Sequence, residues 1–282
     1  MARLPVTLIL VLALVVVATG CGSSSGQETG ATAATCTKGQ LPTHTKGELT
    51  VATDKPAFPP YFENDDPTNG EGFESAVAYA IGRHLGYPAG KVKWTVEPFN
   101  SSYAPGPKDF DFDVNEISIT PPREKAVDFS APYYTANQAV VAPAGSDAAG
   151  AKSLAELKDA KIGVQIGTTS LSAVEEEIDP SQEPQVFNSS TDVVTALKNK
   201  QVDAVVVDVP TALYVTAVQV PTATVVGQFP APGGDQWGAL LDKDSPLTAC
   251  VSKAIEEMRS SGELAKLNKR WMSQAAGAPE LY

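Results

Sequence analysis

The sequence predicts an α/β fold, and three observations carry that expectation. Short strand-like segments, at 48–53, 92–96, 161–166 and 202–207, recur between stretches whose apolar residues repeat at helical spacing, at 70–86, 171–178, 191–197 and 247–260. A chain of 282 residues, 43% of them hydrophobic, is long enough to bury a sizeable core, and enough for two. No repeat of roughly 20 to 50 residues is present, which argues against a solenoid or propeller. The formal net charge of −12 describes a soluble, self-repelling chain and argues against nucleic acid as a partner.

Residues 1–20 stand outside the expected fold. Arg3 is their one charge, residues 8–18 form an apolar run, and small residues follow. That is the make-up of a signal peptide, too short and too early for a mature transmembrane helix. Ala18-Thr19-Gly20-Cys21 is similar to a bacterial lipobox, so cleavage before Cys21 and lipidation of its thiol are expected. Acyl chains would then hold the protein on a membrane at about 0.8 kcal/mol per buried methylene. Residues 22–35 are mostly Ser, Gly, Ala and Thr, which cannot pack a core. Segment 21–46 is expected to be anchor and flexible tether, with the domain proper beginning near Gly47. Cys36 and Cys250, the two cysteines left over in an exported chain, read as one disulfide closing a long loop.

Along the domain, Glu48–Thr53 alternates apolar and polar residues and runs into the proline-rich loop 54–61, which presents Asp54, Phe58 and Tyr61. Loops just past strand ends are where α/β folds place ligands. Residues 70–86 read as a helix with Phe73, Val77, Ala80 and Ile81 on one face and Gly86 as its stop. After the strand 92–96, the run Pro105-Gly106-Pro107 predicts a looped connection rather than a helix. Gln138–Ala142 is expected to cross into a second lobe. Ser153 and Glu156 have capping-box spacing. The strand 161–166 ends in Gly167-Thr168-Thr169-Ser170, opening a helix whose free N–H groups suit a carboxylate, although an ordinary cap looks the same. A helix at 191–197, capped by Ser190 or Thr191, precedes the continuous apolar strand 202–207, which ends in Asp208. Pro210 then opens a helix at 211–218. Residues 225–237 return toward the first part of the chain, 239–241 form a strand, and helices at 247–260 and 263–273 complete it. His84 has no second histidine or cysteine near it in sequence, so neither a metal nor a cofactor is expected.

The most informative stretch is 115–134. Ile117 and Ile119 alternate with Ser118 and Thr120, Pro121-Pro122 stops the strand, and Arg123 follows on the first turn of a short helix. An arginine just beyond hydroxyl-bearing residues is placed to hold a carboxylate by two parallel hydrogen bonds. A surface arginine paired with a neighbouring acid is the alternative. The pattern S-I-T-x-x-R-x-K-x-V-D-F-S-x-P-Y, from Ser118 to Tyr133, resembles the signature of extracytoplasmic solute-binding proteins for polar amino acids, the binding subunits of ABC importers. The resemblance extends from about Gly47 to Met272.

It implies a two-lobed periplasmic-binding-protein fold of type II, with lobe one at 47–137 and 237–282, lobe two at 138–236, and a ligand cleft between them that closes by a hinge. It implies that Arg123 grips the ligand's α-carboxylate with help from Ser118, and that Thr169, with Thr168 second, contacts it from the opposite turn. Asp208 would pair with the α-ammonium; a helix N-cap role is its alternative. Asp54 and an aromatic, Phe58 or Tyr61, fall at the side-chain end. The family commonly has small residues where Glu116 stands; a carboxylate there favours a cation if it faces the cleft, and serves only as a surface acid if it faces away. Relatives also carry an acid at the position of Glu74, to which no role is assigned. The implied partners are a free polar or cationic amino acid, an ABC permease and, through Cys21, the extracytoplasmic face of the membrane, with the chain a monomer. Two rivals remain on the same fold: a cyclohexadienyl dehydratase-like enzyme with Glu116 as proton donor, and a sensing subunit that binds without transport.

Overall fold

The structure, a computed structural model, describes residues 36–273 and 277–282. The expected signal peptide, the lipobox with Cys21 and residues 22–35 lie outside the described residues.

In chain order the first half contributes β1 (Leu49–Thr53), α1 (Phe73–His84), β2 (Val92–Val96), the one-turn α2 (Phe99–Ser102), β3 (Phe112–Asp113), the one-turn α3 (Pro121–Glu124) and β4 (Asp128–Ala136). Then follow β5 (Gln138–Pro143), α4 (Asp147–Gly150), β6 (Ile162–Gln165), α5 (Thr169–Ala173), β7 (Gln185–Phe187), α6 (Ser190–Lys198), β8 (Ala204–Asp208), α7 (Val209–Tyr214) and β9 (Ala223–Phe229). The chain closes with β10 (Asp235–Leu241), α8 (Thr248–Ser260) and α9 (Glu263–Trp271).

The strands form two mixed sheets of five, ordered β2-β1-β3-β10-β4 and β7-β6-β8-β5-β9. Each is parallel on one side, where β1 pairs with β2 and β3 and β6 with β7 and β8. Antiparallel strands complete them, β10 and β4 in the first sheet and β5 and β9 in the second. The result is a two-lobed α/β fold. The chain passes between the sheets twice, from β4 to β5 through Asn137 and from β9 to β10 through residues 230–234. β5 is a buried run, QAVVAP, because helices cover both faces of its sheet.

The lobes fill their cores differently. The first packs Phe62, Phe73, Tyr133 and Trp237 with Leu49, Val51 and Ile255. The second packs Val140, Leu157, Ile162 and Val206 on one face of its sheet and Val141, Val193, Leu197 and Val205 on the other. Cys36 and Cys250 are joined in a disulfide with Cα atoms 5.5 Å apart, which fixes the start of the described chain to α8. His84, on α1, lies 3.1 Å from Glu257 of α8 and 2.9 Å from Glu263 of α9, tying the three helices together.

Several expectations need correction. The tether does not extend to residue 46: beyond the disulfide, the Gly39 N–H donates to Leu85 O at 2.8 Å and the Leu41 side chain is buried in the first core. Residues 279–282 do not stay with lobe one. The Gln228 N–H donates to Pro279 O at 2.6 Å, the Leu281 N–H donates to Gln228 O at 2.8 Å, and Leu281 packs into the second core. β10 begins at Asp235, two residues ahead of the expected crossing. The segment after β2 is not a bare loop, since it opens with α2. Ser189 caps α6, its hydroxyl accepting from the Asp192 N–H, one residue before the expected caps. The Ser153 side chain makes no capping bond, and Glu156 accepts from the Lys152 N–H at 2.9 Å around a single 3-10 turn.

Candidate functional site

The cleft between the lobes holds a cavity built from strand ends and the turns that follow them. From the first lobe Asp54, Phe58, Tyr61, Phe99, Glu116 and Ser118 line it. From the second come Thr168, Thr169, Ser190, Asp208, Thr211 and Tyr214. The ends of parallel strands β1, β6 and β8 deliver Asp54, the 167–170 turn and Asp208 to one place, as open α/β sheets do.

Arg123 sits on α3 behind this cavity. Thr120 accepts from its N–H at the helix start, and the preceding prolines set the turn. Its guanidinium donates from Nη1 to Ser118 O at 2.7 Å and from Nη2 to Gly167 O at 2.9 Å, across the cleft. The guanidinium also stacks over Tyr103, 4.6 Å from the ring centroid, and lies 5.4 Å from that of Phe99. Two of its five N–H groups are thus used on main-chain oxygens. Arg123 is not among the residues that line the cavity. The turn at Gly167 must be glycine, because its φ is +75° and a Cβ would come 2.2 Å from the Tyr103 hydroxyl.

On the second lobe, Thr168 is the N-cap of α5 and its hydroxyl accepts from the Leu171 N–H. Thr169 donates to Asp235 at 3.0 Å and lies 3.3 Å from the Ser118 hydroxyl. Asp208 occupies the N-cap position of α7 without capping it. Its Oδ1 instead accepts from Gln138 Nε2 at 2.7 Å, so the capping alternative does not hold. Burial first, then neighbouring Asp235, holds the Asp208 carboxyl well above the ordinary range.

Both aromatic candidates reach the cavity. Phe58 lies 6.0 Å from Tyr214 across the cleft. Tyr61 is buried edge-on against Trp237, with its hydroxyl 2.8 Å from Thr211. Asp54 accepts from the Lys55 N–H at 2.6 Å, which leaves its carboxylate on the cavity wall.

Glu116 faces the cavity and not the outside. Its backbone is left-handed, φ +49°, a conformation that costs a residue with a Cβ of order 1–2 kcal/mol. Its N–H donates to Glu74 Oε1 at 2.8 Å, and the Tyr133 hydroxyl donates to the same oxygen. Burial, then Glu74 and Asp208, holds the Glu116 carboxyl well above the ordinary range. Glu74 itself is fully buried, and burial raises its carboxyl too.

The profile of the family described as bacterial extracellular solute-binding proteins, family 3, matches residues 49–274, which hold all of this site. The chain belongs to that family. It is 31% identical over 278 residues to the arginine-binding extracellular protein ArtP of Bacillus subtilis (strain 168), covering 94% of this chain and 97% of that one. Two solved structures are similar. An ancestral arginine-binding protein bound to arginine is 32% identical with a TM-score of 0.67, covering 79% of this chain and 97% of that chain. An ancestral arginine-binding protein bound to glutamine is 33% identical with a TM-score of 0.68, covering 81% and 99%.

Set against this family-3 fold, sequence reasoning missed Asp235, Gln138, Tyr103 and the part taken by Glu74. Asp235 follows two glycines and reads as a loop acid. Only the pairing of β10 with β4 brings it to the hinge. Tyr103 carried no pattern of its own.

Proposed function

We propose that this chain captures a free amino acid with a cationic side chain in the cleft between its lobes and delivers it to an ABC permease. The observation that carries the reading is the charge of the cavity wall. Asp54, Glu116 and Asp208 line it, and Glu74 and Asp235 stand directly behind. Lys55 is the cation among the described lining residues, and its amino group is turned away to Asp65. A cation entering such a wall is attracted at short range in a medium less polar than water. The names of ArtP and of the arginine-bound ancestral protein point to the same ligand class.

In this reading the ligand's α-carboxylate accepts from the Arg123 guanidinium with Thr169 and Ser118 beside it. Its α-ammonium meets Asp208, and its side-chain cation lies among Asp54, Glu116, Phe58 and Tyr61. The Lys55–Asp65 pair stays outside. Export and lipidation at Cys21 complete the proposal and rest on the leader's composition.

A thermal-shift screen of the soluble domain against the standard amino acids tests it. Arginine or lysine at 100 times its dissociation constant should add about 2.7 kcal/mol of stability. A screen in which no cationic amino acid shifts the melting temperature, or in which an acidic one shifts it most, overturns it.

A further inference from the structure

The cavity wall contains two carboxyl pairs, each with one member facing the cavity and one buried behind it. In the first, Glu116 lines the cavity and its N–H donates to the Glu74 carboxyl at 2.8 Å, which sets the two acids side by side. Glu74 Oε1 accepts from Tyr133 and from the Glu116 N–H, while Oε2 is buried with no donor among the described residues. In the second, Asp208 lines the cavity and shares one amide nitrogen with Asp235 behind it. Gln138 Nε2 donates one N–H to each, both at 2.7 Å, which uses up that amide's donors. Thr169 donates to Asp235 Oδ2 at 3.0 Å, and Asp235 Oδ1 is buried with no donor among the described residues.

The groups around the pairs do not compensate two full charges in either. The first pair faces Tyr133 on β4, Asp113 on β3, Asp54 after β1, Tyr61, and Asp208 on β8. The second faces Tyr61 and Tyr134, Glu116, and Arg123 on α3. Arg123 is the one cation among these described neighbours. Two carboxylates held this close in a poorly hydrated site disfavour each other's ionisation, and each orphaned oxygen is the place where a shared proton removes the conflict.

We propose that each pair holds a proton in the place of a cation, and that each cationic group of the incoming ligand displaces one of them into solvent. The balance is simple: a carboxylic acid and a cationic ligand give a carboxylate–cation pair and one free proton. An α-ammonium, charged at neutral pH, discharges the Asp208–Asp235 pair. A guanidinium or side-chain ammonium discharges the Glu116–Glu74 pair. Arginine therefore releases about two protons, and a ligand with a neutral side chain releases one. Glu74, which does not line the cavity, acts through Glu116 as a positioning residue that makes side-chain selection depend on pH.

This inference rests on the amino-acid-binding reading above, and one experiment separates the two. Titration calorimetry with arginine at neutral pH, in buffers of different ionisation enthalpy, counts the protons released. Two are expected for the unaltered protein, and the association constant should fall by up to a hundredfold for each pH unit below neutrality, tenfold for each proton. Glu74→Gln should reduce the count by one with arginine and leave the count with glutamine unchanged. Asp235→Asn should reduce it by one with either ligand. Arginine binding that releases less than one proton from the unaltered protein overturns the inference and leaves the binding reading standing. Absence of arginine binding overturns both.

Discussion

The two lobes share a plan and differ in substance. The second is aliphatic: Val140, Val141, Val205 and Val206 are fully buried on the two faces of one sheet. Its turns offer the cavity hydroxyls, main chain and one carboxylate, Asp208. The first lobe is aromatic and polar inside. Phe62 packs edge-on to Trp94, and Tyr134 lies 4.7 Å from Trp237. Glu74, Asp111, Asp113 and Arg123 are all buried within it. Buried charge costs stability unless it is paired, and sites are where proteins tolerate that cost. In the proposed complex both lobes would hold the groups common to amino acids, Arg123 from the first and Asp208 from the second, while the first, through Asp54, Glu116, Phe58 and Tyr61, would carry most of the chemistry that tells ligands apart. The lobe that bears the burden of buried acids is also the lobe that is cross-linked.

That last point gives the largest expected effect. The disulfide closes a loop across 214 positions, for which the chain-entropy model gives about 5 kcal/mol. Replacing both Cys36 and Cys250 by serine should lower unfolding stability by that amount in denaturant melts while leaving ligand affinity unchanged. A loss under about 1 kcal/mol would mean that the first lobe needs no staple, and the contrast between the lobes would weaken.

Next in size is Arg123→Ala. The side chain joins the lobes through Ser118 O and Gly167 O and, in the proposed complex, pairs with the ligand's carboxylate. Its removal should cost about 2–5 kcal/mol of binding by calorimetry, with the fold retained by circular dichroism. A folded variant that binds within threefold of the parent removes Arg123 from the site.

The sequence made some of this legible and hid the rest for physical reasons. Arg123 could be placed because two prolines end one element and begin the next, so local chemistry sets its position. Both sheets could be drawn from apolar runs such as 202–207. Glu116 stayed undecided because strand alternation does not hold through a residue with φ +49°. The pairing of Asp208 with Asp235 depends on β8 and β10, which belong to different sheets and are bridged by Gln138 at the hinge. No local pattern encodes such a meeting. Residues 36–46 read as tether because Leu41 is their one apolar anchor in a polar run, and the disulfide that holds them is a long-range fact.

Stability should also depend on pH, chiefly through the first lobe. Burial raises the carboxyls of Glu74, Asp111, Asp113 and Glu116, and that of Asp208 in the second lobe. Folded values above the unfolded ones mean that the folded state holds protons the unfolded chain has lost. Their stabilisation is complete below the ordinary carboxyl value of about 4 and is lost as pH rises through the raised values. Asp66 and Glu257, both exposed and lowered, oppose this only near and below the ordinary range. The ligand-free domain should therefore melt at a higher temperature at pH 5.5 than at pH 8, and saturating arginine should narrow the gap. A melting temperature that rises steadily from pH 5.5 to 8 without ligand contradicts the assignment of these groups as protonated in the folded state.

The smallest expected effect tests the contact between the lobes directly. The Tyr61 hydroxyl lies 2.8 Å from that of Thr211 across the cleft, while its ring packs 5.6 Å from Trp237 inside the first lobe. Burial, then Glu116 and Asp208, pushes the phenol well above its ordinary value, so it remains an O–H able to donate. Tyr61→Phe keeps the ring and removes only the hydrogen bond, which is worth about 0.5–1.5 kcal/mol. Because that bond exists only with the lobes together, the loss should fall on ligand affinity and leave the unfolding of the first lobe nearly unchanged. Thr211→Val should cost a similar amount, and the double variant no more than either alone. Fully additive losses would mean that the two hydroxyls act separately, and that Tyr61 serves the packing of its own lobe and not the joining of the two.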